Sequence, residues 1–171
     1  MGYTVPTTVA TDDVLTAAIW NASVKDDVIF LANPPMASAF KTTAQSITAV
    51  TWTSVTLADG EDYDTDAMHS TATNPSRFTC VTAGKYRYSA LVVFAANVTG
   101  TRQLRMTVSG TSTHEFARAS AFNSTTDDCG MSTSGVVALS AGQYLEIQAR
   151  QNSGGALNIT SARVQVEMIS Q

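Results

Sequence analysis

Between Gly84 and Ala96 the chain keeps a two-residue beat: Tyr86, Tyr88, Ala90, Val92 and Phe94 share one side, and Arg87, Ser89, Leu91 and Val93 the other. Successive side chains of an extended strand point to opposite faces, so such a run is a β-strand with at least one dry face. The beat returns along the chain. Leu104, Met106 and Val108 alternate with Gln103, Arg105 and Thr107, and Leu145, Ile147 and Ala149 with Tyr144, Glu146 and Gln148. Near the end, Val164, Val166 and Met168 oppose Arg163, Gln165 and Glu167. One apolar and one polar face per strand is the pattern of antiparallel sheets packed on a shared core. No strand-helix-strand rhythm occurs, which argues against a parallel sheet.

Clusters of Gly, Asn, Asp and Ser punctuate the sequence at intervals of about 8 to 15 residues, a spacing that predicts a sandwich or barrel. The expected strands are Ala39 to Ala49, Thr53 to Leu57, Ser76 to Val81, Gly84 to Ala96, Arg102 to Ser109, Thr113 to Ala121, Ser132 to Leu139, Gln143 to Gln151 and Asn158 to Ile169. The fold class is therefore all-β and antiparallel over residues 37–171, preceded by a short N-terminal helical arm, residues 1–36.

The arm has its own pattern. Thr11, Asp12 or Asp13 can cap a helix, and the two aspartates suit the positive end of its dipole. Trp20, Val24, Val28 and Leu31 fall on one helical stripe, with Leu15, Ile19 and Ala22 beside it, and Pro34 and Pro35 stop the helix. A stripe of this kind wants a partner: its own domain, a copy in the same oligomer, or a larger assembly to which the arm attaches.

Charged residues make up 14% of the chain and the formal net charge is -4. A phosphate-neutralising face needs clustered Lys and Arg, so nucleic acid is not expected as a partner. No apolar run reaches the roughly 20 residues that span a bilayer, and no basic stretch followed by an apolar one opens the chain. A soluble protein without membrane or export signal, made in the cytoplasm, is expected. Cys80 and Cys129 are too few for a disulfide framework; free, half-buried thiols are expected, with pairing as the alternative.

The sequence offers little for catalysis or cofactors. Asp62, Asp64 and Asp66 imitate the opening of a calcium loop, yet Ala67 replaces its turn glycine and Thr73 stands where a bidentate Glu is needed. The acidic segment from Asp59 to Asp66 then reads as a solvated loop or a subunit contact, and His69 as a local or cross-subunit hydrogen-bonding group. His114 and Glu115 lack the second histidine of a zinc protease. No Gly-x-Ser-x-Gly elbow occurs, and the neighbouring aspartates at 12–13, 26–27 and 127–128 do not converge as glycosidase carboxylates do. The expectation is a non-enzyme with no metal and no cofactor. Tyr63, Tyr86, Tyr88, Phe94 and Trp52 suit either a sugar-binding groove or a division in which Tyr88 and Phe94 are core and the others line a subunit contact.

Several spaced motifs resemble a phage-encoded jelly-roll family. They are Trp52-Thr53-Ser54-Val55-Thr56-Leu57, Tyr63-Asp64-Thr65-Asp66-Ala67-Met68-His69 and Asn74-Pro75-Ser76-Arg77-Phe78-Thr79, then Ala83-Gly84-Lys85-Tyr86 and Leu139-Ser140-Ala141-Gly142-Gln143-Tyr144-Leu145. The resemblance covers roughly residues 40–169, with Ala67 where the family has glycine. Val14-Leu15-Thr16-Ala17-Ala18-Ile19-Trp20-Asn21 also resembles leader segments that precede such domains. These domains are similar to the complement globular head and the tumour necrosis factor fold, which form compact trimers. The resemblance implies a jelly-roll virion protein: a capsid decoration or head fibre that trimerises and docks on the major capsid protein or another virion protein. The alternative is a tail or fibre-tip module that binds a receptor or host-surface glycan through loops at 97–101, 123–128 and 152–155. Expected contacts are Leu15, Ile19, Trp20, Val24, Val28 and Leu31 in the arm. At the trimer interface they are Tyr63, His69, Leu91 and Val93, because Leu91, Val92, Val93 and Phe94 form a strand apolar on both faces.

Overall fold

The computed structural model describes residues 8, 10, 14, 16–111, 113–120 and 126–171, with 22–23 and 113–120 described by backbone alone. A helix comes first: α1 (Ala17–Trp20), a π turn (Asn21–Lys25) and α2 (Asp26–Ala32) run on continuously. Among the described residues eleven strands follow: β1 (Met36–Lys41), β2 (Gln45–Ile47), β3 (Thr53–Ser54), β4 (Gly60–Asp64), β5 (Arg77–Thr79), β6 (Gly84–Phe94), β7 (Thr101–Val108), β8 (Thr113–Ser120), β9 (Cys129–Leu139), β10 (Tyr144–Gln151) and β11 (Leu157–Ser170).

They form two antiparallel sheets. One has six strands in the order β4-β1-β11-β6-β9, with β2 also on β11; the other has five, β3-β10-β7-β8, with β5 also on β10. This is a jelly-roll sandwich. The alternation in β6 sets its register. Tyr86, Tyr88, Ala90, Val92 and Phe94 all point inward and are buried, and Tyr88 lies opposite Val166 of β11 and Gly135 of β9. A methyl on Gly135 would meet the Tyr88 hydroxyl at 2.6 Å, so the glycine makes room for that ring. From the other sheet, Phe78, Leu104, Met106, Leu145 and Ile147 complete the core.

Three expectations change. The strand over 39–49 divides, because the Asp59 carboxylate accepts the backbone N–H groups of Thr42 (2.7 Å) and Thr43 (2.6 Å) and pins a turn between β1 and β2. The segment Gly60–Asp64, expected as a loop, is the edge strand β4. The helix cap is Thr16, whose hydroxyl accepts the Ile19 N–H at 3.2 Å, rather than Thr11, Asp12 or Asp13, which lie outside the described residues. Cys80 and Cys129 are free and buried. Cys129 pairs in register with Phe94 at one end of β6, while Cys80 lies near Tyr86 at the other. The length of the strand separates them, and no disulfide can form.

Candidate functional site

The polar side of the beat in β6 belongs to the outward face of the six-stranded sheet. Leu91 lies between Arg163 and Ser132, Ser89 between Gln165 and Ser134, and Arg87 between Glu167 and Val136. Arg87 and Glu167 form an ion pair at 2.6 Å. The small serines leave a groove of about 490 Å³ floored by Ser89, Ser132 and Ser134 and walled by Leu91, Arg163 and Gln165. Tyr63 borders an adjoining depression of about 280 Å³. Leu91 (47%), Tyr63 (39%) and Val136 (55%) are exposed large hydrophobics on this face, and Val93 is half-buried. The structure thus brings Tyr63, Leu91 and Val93 to one surface.

His69 does not join them. Its side chain has no exposed area: Nδ1 is 2.8 Å from Glu61 Oε1, Nε2 is 3.2 Å from the Pro75 carbonyl oxygen, and the ring lies 4.8 Å from that of Phe78. A ring enclosed in this way holds its own loop together and presents nothing to a neighbour. Tyr86, expected at the contact, is likewise in the core, where its hydroxyl donates to the Thr82 carbonyl at 2.5 Å. Burial, with the Cys80 thiol beside it, pushes this phenol far above its usual pKa.

The acidic segment is spent on internal bonds rather than gathered around an ion. Asp64 accepts the backbone N–H groups of Asp66, Met68 and His69 at 3.2, 3.0 and 2.9 Å. Asp66 accepts that of Thr82, Asp62 takes the Ser38 hydroxyl at 2.7 Å and pairs with Arg163, and Glu61 holds His69. Hydrogen bonds from Thr42 and Thr43 hold the Asp59 carboxyl down at about 2. Among the described residues no group of three His, Cys, Asp or Glu is placed to hold a metal ion. Ala67 has a left-handed φ of 51°, a conformation that favours glycine.

On the helix, the expected stripe faces outward: Trp20, Val24, Val28 and Leu31 are exposed, as is Ile29, while Ile19 is intermediate and Leu15 lies outside the described residues. Among the described residues the stripe therefore does not pack on its own domain, apart from Leu31 at the border of a groove shared with Met168 and Ile169. Asp27 and Phe30 are the buried side chains of α2, and Phe30 joins the core beside an apolar groove of about 420 Å³ formed with Pro34, Met168 and Ile169.

The outward face of the five-stranded sheet was not foreseen. The Arg105 guanidinium lies 4.2 Å over the Trp52 ring and donates to Gln148 Oε1 through Nε at 2.8 Å. Arg77 lies 4.3 Å over Tyr144, and Arg150 donates to Gln103 Oε1 at 2.9 Å. Trp52 is thus on the opposite side of the sandwich from Tyr63. The signal was present in the alternate positions Gln103, Arg105 and Gln148, Arg150, which read only as polar. His114 and Glu115 lie on β8, whose side chains are outside the description, as is 121–125 of the loop after it.

Among solved structures the chain is similar to the globular domain of zebrafish complement 1qA protein, at 18% identity over 79% of this chain and 97% of that one, with a TM-score of 0.58. The fold is a jelly roll, as it is in the solved structures it matches. Murine APRIL matches at 14% identity over 78% of this chain and 99% of its own, TM-score 0.56. Vertex protein P5 of phage PRD1 matches at 17% identity over 79% and 96%, TM-score 0.57. No sequence family matches, and no curated relative does.

Proposed function

We propose that this jelly roll is a non-catalytic structural protein of a phage virion, a capsid decoration or head fibre, that assembles as a trimer and attaches through its arm helix. The observation that carries this reading is the helix: Phe30 fastens it to the sandwich while Trp20, Val24, Val28 and Leu31 stay exposed. An apolar stripe held out on a tethered helix is suited to insertion into another protein, with the major capsid protein as the natural host. The similarity of the sandwich to a phage vertex protein supports a particle-bound role.

The outward face of the six-stranded sheet is the trimer contact in this proposal, with Tyr63, Leu91 and Val93 its apolar centre and Arg87, Glu167 and Arg163 its polar frame. A closed cyclic arrangement buries one such face per subunit without leaving an open end. The arm, residues 1–36, and the sandwich, residues 37–171, then have separate tasks.

Two variants test both tasks. Leu91→Asp is expected to yield an 18.0 kDa monomer by light scattering where the native chain gives a trimer. Replacing Trp20, Val24 and Leu31 together by Ser is expected to leave the trimer intact and abolish co-purification with particles. A native monomer, or undiminished particle binding by the arm variant, contradicts the proposal.

A further inference from the structure

We propose that the outward face of the five-stranded sheet binds a carboxylate-bearing polysaccharide. The proposal does not depend on the trimer, because this face lies on the opposite side of the sandwich from the surface assigned to subunit contact.

The chain is acidic overall, yet this face is cationic. Arg77, Arg105 and Arg150 stand on β5, β7 and β10. Among the described residues the face carries one carboxylate, Glu146, which is 7% exposed and already engaged by Ser76 at 2.6 Å, by Gln148 at 3.3 Å and by Arg77 at 3.9 Å. That internal carboxylate shows the recognition chemistry on the spot: a hydroxyl, an amide and a guanidinium converge on it.

The same donor types recur across the rest of the face with capacity to spare. Arg105 commits Nε and Nη2 to Gln148, and Arg150 commits Nε to the Val50 carbonyl and Nη1 to Gln103. The remaining guanidinium nitrogens of these two residues, and both terminal nitrogens of Arg77, have no partner among the described residues. Stacking on Trp52 and Tyr144 fixes the planes of Arg105 and Arg77, so the forks that meet a ligand are ordered before it arrives. A guanidinium fork matches a carboxylate in two parallel hydrogen bonds. Gln103, Gln148 and Ser54 lie between the arginines, placing amide and hydroxyl groups where the hydroxyls of a sugar chain need partners. Repeated acids on an extended, hydroxyl-rich polymer fit this arrangement. Several copies of the face on one particle would add avidity.

The test is binding of the full-length chain to polygalacturonate, with neutral dextran and a glycerol-phosphate polymer as comparison probes. Polygalacturonate is expected to bind at about 50 mM salt and to weaken as salt rises, and dextran not to bind. The double variant Arg105→Gln, Arg150→Gln is expected to lose about tenfold or more in affinity, and Arg105→Lys to lose part of it, since charge remains without the fork. Lys25→Gln, on the helix, is expected to bind as the native chain does. Circular dichroism and light scattering establish that each variant is folded and of native size. No binding of polygalacturonate by the native chain overturns the proposal, as does equal binding by the folded double variant. Binding of the glycerol-phosphate polymer alone overturns the choice of carboxylate.

Discussion

Phe30→Ala is expected to release the arm helix without unfolding the sandwich. Phe30 is the buried apolar side chain of the helix, 8% exposed, and the neighbouring Val28, Ile29 and Leu31 face solvent. Burying a phenylalanine is worth about 1.5 to 3 kcal/mol, and a helix of this length has almost no stability by itself. A loss of about 2 kcal/mol corresponds to roughly a 30-fold rise in the undocked population, at about 1.4 kcal/mol per factor of ten. Hydrogen exchange with mass spectrometry reads this directly. Amides of 26–32 are expected to exchange about 30-fold faster in the variant, while those of β6 and β11 keep their native rates and the melting temperature moves by less than about 2 °C. A parallel loss of protection in β6 and β11, with a fall of about 5 °C or more, would refute the argument by showing that the helix and the sandwich unfold as one cooperative unit.

Further outcomes follow from single positions. Ala67→Gly relieves a left-handed alanine at φ 51° and is expected to raise the melting temperature by about 2 to 4 °C, for a gain of about 1 kcal/mol. Gly100→Ala places a methyl 2.3 Å from the Asn152 carbonyl oxygen at a φ of 75°, and is expected to cost about 2 to 4 kcal/mol in chemical denaturation. The Asp59 carboxyl is held at about 2 against 3.8 when free, so its contribution is complete above 3.8 and is lost as pH falls towards 2. Asp59→Asn is therefore expected to be less stable than the native chain at pH 5, with the difference closing by pH 2. Both thiols are buried, and burial raises the pKa of Cys80, so Ellman's reagent is expected to react slowly with the folded chain and to titrate two thiols in denaturant.

The sandwich was legible because β6, β7, β10 and β11 carry alternation strong enough to fix which side is dry. Alternation does not say which sheet a strand joins, so the two outward faces, one with Leu91 and the other with Arg105, could not be told apart in advance. The edge strand β4 was hidden because Glu61, Asp62 and Tyr63 bury little; it is held by pairing with β1 and by side-chain bonds to Ser38, Arg163 and His69. Of the carboxylates that suggested a cation site, Asp62 makes two of these bonds, while Asp64 and Asp66 are taken up by backbone N–H groups. His69 was ambiguous for a related reason, since a histidine next to acids reads alike whether its partner is internal or across an interface. On the helix the periodicity identified an apolar stripe but not its direction, which the burial of Asp27 and Phe30 on the other side decides.

Electron cryomicroscopy of the intact particle carrying this chain tests the central proposal most directly. The expected result is trimers on the capsid surface, joined through the face bearing Tyr63, Leu91 and Val93, with the helix at 17–32 seated against the major capsid protein. Copies confined to the distal tail, or single subunits whose Leu91 face is open to solvent, would contradict it.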